Sequence, residues 1–394
     1  MPLTFLTDLT SPGMRAFAER IVRDWNESRP GISAKLSTLD HEEFRDRLED
    51  YLTNRCPPDV LTWFAGNRMR SLGERGLMLD ISRTWRESGL AEQYLPRFRE
   101  MVARSGPAHF LPTAHYWWGV YYRPSVFESA GISTPVRTWE ELEAAARRLR
   151  GAGITPFSLG SRYRCPATAW FDYLNMRLNG PDFHRDLMDL RVPYTDERLQ
   201  RVFTFWRRLL DDGFFFGEPT EYDEEEAVAA VLRGEAGMTL IGSYITDEYA
   251  PDGETDLDFF RFPVIDPALP VGEDSPVDGY FVAGGSAHPE EAAAFLANLG
   301  SQRVQQWMVE AMTILPVRGD VDLGRAGTHV AKGAALLRDA DHIGQFYDLD
   351  TTWELSNIGM DAFMSFLRDP GRARDLLAEV EDMRLHQLQL TRSA

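Results

Sequence analysis

The chain has 394 residues, too many for a single hydrophobic core to be the simplest reading, so two domains are expected. Its 42 basic and 61 acidic residues leave a formal charge of −19, and such a surface repels both nucleic-acid phosphates and anionic lipid. An apolar fraction of 43% and a charged fraction of 26% belong to a folded globular chain, and no apolar run reaches the ~18 residues of a membrane span.

Leu3 to Thr7 reads as a short apolar strand, ended by the turn signal Ser11-Pro12-Gly13. Phe17, Ile21, Val22 and Trp25 then recur at helical spacing, and Pro30-Gly31 stops that helix. Ile32 to Leu36 alternates as a strand, Phe44, Leu48, Tyr51 and Leu52 mark a second helix, and Asp59 to Trp63 is the next strand. A β-α-β-α-β opening argues for a doubly wound α/β domain. A second unit opens near Trp117, with a strand over Gly119 to Tyr122 and a short helix over Val126 to Ala130. Thr138 and Glu141 have capping-box spacing, which predicts a helix from there to Gly151. Beyond it lie a strand over Ile154 to Leu159, amphipathic helices over Arg198 to Leu210 and Ala227 to Arg233, and a buried strand over Gly237 to Gly242. Phe259 to Ile265 is a candidate crossing between domains. Pro289 to Trp307 reads as a helix pair, and Asp361 to Leu390 as helix broken at Pro370-Gly371.

The order of these landmarks resembles the bacterial extracellular solute-binding proteins, the family that includes the maltose-binding protein. The matching stretches are Arg29-Pro30-Gly31-Ile32, Pro58-Asp59-Val60, Gly76 to Ile81, Gly119 to Arg123, Ala130-Gly131-Ile132 with Pro135, and Thr138 to Leu142. Leu232 to Met238, Phe262-Pro263, Pro289 to Ala293 and Leu315-Pro316 complete the series, which is specific as an ordered set over nearly the whole chain. Two departures are Cys56-Pro57, where small residues are usual, and Arg123, where Asn is usual. The resemblance implies an α/β, two-lobed periplasmic-binding-protein-like fold whose lobes are discontinuous, meet at a three-crossing hinge and close on a ligand cleft. The N-terminal lobe is expected to hold residues 1–113 and 264–317, the C-terminal lobe 114–263 and 318–394. It further implies the substrate-capture part of an ABC importer, a likeness to sugar receptors, delivery to a membrane permease, and a monomer without cofactor. An extracytoplasmic location, periplasmic or lipid-anchored, follows, with a signal segment preceding residue 1, because Met1 to Asp8 has no secretory h-region.

A sugar offers apolar C–H faces and a rim of hydroxyls, so its site needs flat aromatic rings beside carboxylates, amides or Arg. Trp63 resembles the stacking Trp of sugar-binding relatives, its alternative being core. Tyr244, after Gly242-Ser243, looks like a second stacking ring, and Trp353 a looser third. Tyr116, Trp117 and Trp118 sit at the first crossing; adjacent residues on a strand face opposite ways, and Trp117 is the one expected to reach the ligand. Arg162 and Tyr163 lie on a loop that lines the site in relatives, with solvent exposure as the alternative. Among polar groups, Asp8 follows the first strand and Glu42 and Glu43 open a helix, where a favourable helix dipole accounts for acids equally well. Asp172 is a further candidate, and Asp278-Gly279 precedes an apolar strand, the Gly permitting close backbone approach.

Competing readings find little support in the residues. There is no Gly-x-Ser-x-Gly elbow, no phosphate-binding Gly-rich loop, and no two of the eight histidines stand at i, i+4. A carbohydrate-active enzyme would need a carboxylate pair that the sequence does not nominate. The acidic run Glu221 to Glu226 suggests calcium less well than it suggests a solvated helix start. A quaternary amine or other small polar solute is the alternative cargo, since converging rings and a carboxylate would hold it by cation–π contact. Cys56 and Cys165 make no metal motif and are either free or bridged to one another.

Overall fold

Short apolar or alternating runs between turn signals become the strands of the chain. They are β1 (Leu3–Thr7), β2 (Ala34–Thr38), β3 (Val60–Phe64), β4 (Leu111–His115), β5 (Trp118–Tyr122), β6 (Thr155–Ser158), β7 (Ala236–Gly242), β8 (Asp258–Phe260), β9 (Gly272–Asp274), β10 (Val277–Val282), β11 (Leu315–Pro316) and β12 (His342–Gly344). The structure is a computed structural model that describes residues 2–10, 12–29, 31–104, 106–246 and 256–393. Ser11 and Pro30, from two of the turn signals, lie outside the described residues. None of the described helices is long and apolar enough to cross a membrane.

The chain divides into two compact units, residues 1–116 with 276–332 and residues 117–275 with 333–394. In the first unit a six-stranded sheet runs β11-β4-β10-β3-β1-β2. β1 is parallel to β2 and β3, while β10 lies antiparallel between β3 and β4. The carboxyl ends of β1 and β3 therefore meet the start of β10, with Asp278 opposite Phe64 and Gly279 opposite Trp63. Phe17, Ile21 and Trp25 bury one stripe of the Pro12–Ser28 helix against this sheet. Edge contacts of Phe295 with Phe5 (5.3 Å) and Trp25 (5.1 Å) bind the Pro289–Leu299 helix into the same core.

The second unit has a four-stranded sheet, β6-β7-β5-β8, and a small parallel pair, β12-β9. Its core is the Cys165–Asn179 helix, buried on nearly all sides, with Phe171 stacked on Phe363 at 4.4 Å and Phe203 edge-on to Phe366 at 4.8 Å. Thr138 caps the Trp139–Gly151 helix and Glu141 completes the capping box. The C-terminal helix breaks as Pro370-Gly371 requires, into Trp353–Arg368, a 3-10 turn at Pro370–Arg372, and Ala373–Ser393.

The chain passes between units at 116/117, 275/276 and 332/333, rather than 113/114, 263/264 and 317/318. Pairing explains the later positions. β9 hydrogen-bonds to β12 and so keeps 264–275 with the second unit. The Gly319 N–H donates to the Gln93 carbonyl and Arg318 donates to the Gly300 carbonyl, which keeps 318–322 with the first. Cys56 and Cys165 are not joined in a disulfide.

Candidate functional site

On the first unit, polar side chains gather where β1, β3 and β10 come together. Asp8, one residue past β1, accepts from the Thr62 hydroxyl at 2.9 Å and pairs with His41 Nδ1 at 2.8 Å. His41 is the first residue of the His41–Thr53 helix, so a helix start and two strand ends converge on one carboxylate. Burial opposes the charge on Asp8, but the hydrogen bond and charge of His41, with the Thr62 hydroxyl, outweigh it and hold the carboxyl below its ordinary value. Asp278 has the opposite fate. Burial, then the neighbouring Asp8 charge, push it up to about 7 against the pull of His41, and its Oδ1 is enclosed without a hydrogen-bond partner. Asp278 is thus a carboxylic acid that shares its proton with solvent near neutrality, beside a carboxylate that does not. A carboxyl carbon-13 titration is expected to place the Asp278 midpoint near 7 and to lower it in Asp8→Asn, where the repelling charge is gone. An unmoved midpoint in that variant would show that burial alone raises it.

The other first-unit candidates sit as follows. Trp63 is 2% exposed and belongs to the hydrophobic core of this unit, with its ring 4.7 Å from Phe64 and 6.1 Å from Phe44. The Arg68 guanidinium lies 5.3 Å over it. Phe64, half-buried and 5.9 Å from the His41 ring, is the aromatic of this strand end beside the polar group. Glu43 turns along its own helix to pair with Arg47 at 2.7 Å; His41, two residues earlier, reaches Asp8 instead. At Gly279 β10 approaches β4 so closely that a Cβ would collide with the Leu111 carbonyl, so this glycine serves the sheet. Tyr116 is half-buried against the core, its N–H donating to the Pro276 carbonyl at 3.4 Å.

On the second unit a different set of groups is assembled. Trp117 is wholly buried, 5.5 Å from Phe259, and Trp118 points the other way, edge-on to Phe346 at 4.7 Å and to Tyr244 at 6.3 Å. The alternation was legible, but it is Trp118 that backs the Tyr244 ring, and Trp117 that fills the core. Tyr244 follows β7, and its ring folds back over Gly242, where any Cβ would strike it. Its hydroxyl donates to Glu224 Oε2 at 2.6 Å. Arg162 spends its guanidinium on the start of the Glu224–Leu232 helix, with Asp223 Oδ2 at 3.0 Å and Glu226 Oε2 at 2.9 Å. Asp223 is the N-cap of that helix, so the acidic run is a capped helix start. Among the described residues no group of three or more His, Cys, Asp or Glu is placed to hold a metal ion.

Tyr163 and Trp353 are the exposed aromatic rings among the described residues, at 55% and 43%. Trp353 opens the Trp353–Arg368 helix, capped by Thr352. Arg164, in the left-handed region with φ 74°, reaches Asp361 of the same helix at 3.1 Å. One loop, Ser161 to Arg164, thereby joins the Glu224–Leu232 helix to the helix that carries Trp353. Asp172 lies apart from this surface. It is fully buried in the Cys165–Asn179 helix and accepts from the Tyr347 N–H at 2.9 Å. His41, Thr62 and Phe64 carry no signal of this role in the sequence, Glu224 reads there only as part of the acidic run, and Trp118 is passed over for Trp117 although strand alternation sets the two on opposite faces.

Such surfaces are suited to reversible capture: exposed rings to cover apolar faces, and carboxyls in two protonation states to read hydroxyls as donor or acceptor. The sequence profile of the bacterial extracellular solute-binding protein family matches residues 8–306. An uncharacterized ABC transporter extracellular-binding protein of Pyrococcus horikoshii is 23% identical over 321 residues, spanning 79% of this chain and 69% of the relative. Among solved structures, the bacterial solute receptor AcbH, described as having an exclusive preference for β-D-galactopyranose, superposes with a TM-score of 0.90 at 25% identity over 99% of both chains. A chitin oligosaccharide binding protein superposes with a TM-score of 0.89 at 20% identity over 98% of both chains.

Proposed function

Because this chain belongs to the family of bacterial extracellular solute-binding proteins, we propose that it captures a mono- or oligosaccharide reversibly, without chemistry, for delivery to a membrane permease of the ABC type. It works outside the cell membrane. The observation that carries the reading is the exposure of two rings, Tyr163 and Trp353, the first of them on the Ser161–Arg164 loop, which grips the helix start that bears the Tyr244–Glu224 hydrogen bond. A flat ring left in solvent covers little apolar area of its own chain and is available to the C–H face of a sugar. The Asp8–His41–Asp278 group of the first unit is proposed as a second sugar-contacting surface, reading hydroxyls. The sugar preference of AcbH and the name of the chitin oligosaccharide receptor support this cargo class for relatives of the same fold.

Tyr163→Ala and Trp353→Ala are each expected to weaken sugar binding by about 1–3 kcal/mol, the loss of one aromatic anchor. Both rings are exposed, so the variants should melt with the parent protein. Isothermal titration with galactose, maltose and a chito-oligosaccharide reads this directly. Parent-like affinity in both variants would remove the ring surface from the site.

A further inference from the structure

Arg162 has the composition of a ligand-binding residue and the geometry of something else. Its loop lies directly on the first turn of the Glu224–Leu232 helix. The Ser161 N–H donates to the Pro219 carbonyl and the Arg162 N–H to the Tyr222 carbonyl, both at 2.8 Å. At Gly160 the two segments touch, and a Cβ there would run into the Asp223 carbonyl. The guanidinium then grips that turn from its side. Nε and Nη2 donate to the Glu221 carbonyl, Nη1 to Asp223 Oδ2, and Nη2 also to Glu226 Oε2. Asp223 and Glu226 are the two halves of the capping box: Asp223 Oδ1 accepts the Glu226 N–H at 2.9 Å, and Glu226 Oε2 accepts the Asp223 N–H at 3.0 Å. Each carboxylate is therefore shared between the helix cap and Arg162. Glu224, the residue after Asp223, is the acceptor of the Tyr244 hydroxyl at 2.6 Å. A planar fork that satisfies a carbonyl and two carboxylates at once has no equivalent in a lysine.

We propose that Arg162 is a positioning residue of the binding surface: it fixes the first turn of the Glu224–Leu232 helix, and through Glu224 it sets the ring of Tyr244. The proposal rests on the reading of that surface as sugar-contacting. It is a different role from contact with the ligand, because the guanidinium is committed to the helix start.

A double-mutant cycle on Arg162 and Glu224 tests it, with galactose, maltose and a chito-oligosaccharide titrated calorimetrically and the tightest of them used throughout. Arg162→Gln and Glu224→Gln are each expected to weaken binding about tenfold, and the double variant no further than either alone, since one acts through the other. Arg162→Lys, which keeps the charge and loses the fork, is expected to match Arg162→Gln. Losses that multiply in the double variant would mean that Arg162 touches the sugar itself, and parent-like affinity in Arg162→Lys would mean that charge alone suffices; either overturns the proposal. Tyr244→Ala separates the two levels. Weak binding there with parent-like Arg162→Gln overturns the positioning role alone, whereas parent-like binding in Tyr244→Ala removes Tyr244 from the sugar surface and the proposal with it.

Discussion

Arg177→Met is expected to destabilise the second unit by about 3–5 kcal/mol, the usual cost of leaving one member of a buried ion pair alone. Arg177 and Glu273 are 2% and 0% exposed at the side chain, and Nη2 donates to Glu273 Oε1 at 2.6 Å. The same guanidinium donates to the Phe262 carbonyl and the Gly272 carbonyl, so its removal also strands backbone acceptors. Methionine fills the space without replacing any of these bonds. Arg261, 3.1 Å from Glu273, is partly exposed and supplies some of the missing charge. The double variant Arg177→Met with Glu273→Leu removes both buried charges and is expected to lose less than Arg177→Met alone. Urea unfolding reads both; a single variant within about 1 kcal/mol of the parent would mean that the pair is solvated in the folded state.

The second large effect concerns pH. Asp172 and Asp274 are both fully buried, and neither Asp274 oxygen nor Asp172 Oδ1 has a hydrogen-bond partner. Burial raises both carboxyls well above their ordinary value, and mutual repulsion adds to it for Asp172, as the charge of Glu273 does for Asp274. His184 offers no countercharge: 3.5 Å from Asp172 Oδ1, it is pushed down to about 3, chiefly by burial. A group raised on folding contributes stability that is fully present below the unfolded carboxylate range, near 3.9, and is lost as pH rises through the folded value. The contribution of these two carboxyls to the stability of the second unit should therefore weaken as pH climbs above about 4, and His184, lowered on folding, works in the opposite sense. Asp274→Asn carries the uncharged shape permanently, so its advantage over the parent is expected to grow across that window. Urea midpoints measured at a series of pH values test this, and parallel profiles for parent and variant would contradict it.

Local signals were read reliably from the residues. The Thr138–Glu141 capping box, the Gly-bounded strand at β7 and the helix break at Pro370-Gly371 each depend on a few neighbours in sequence. The ordered landmarks likewise led to the two-lobed α/β fold, because strand and helix starts recur in the family's order. Tyr163 and Trp353 are exposed, which for Tyr163 accords with the solvent-exposed alternative as well as with contact to a ligand. The rest depended on contacts that spacing does not carry. Nothing in the sequence says that Thr62 and His41 share Asp8, which lies 54 and 33 positions away. Nor does it say that Tyr244 turns back to Glu224, or that Arg162 reaches three groups some 60 positions along. Trp63 shows the limit from the other side. A large amphipathic ring at a strand end suits a site and a core equally, and only the packing of Phe44, Phe64 and Arg68 around it assigns it to the core of its unit.

Thermal melting in the presence of galactose, maltose, a chito-oligosaccharide, choline and glycine betaine reads capture of a sugar by the intact chain. A ligand present at a hundred times its Kd stabilises the folded state by about 2.7 kcal/mol, which raises the melting temperature measurably. A rise is expected with at least one of the sugars and none with the amines. A rise with choline or betaine alone would contradict sugar capture and make the aromatic surface a cation site.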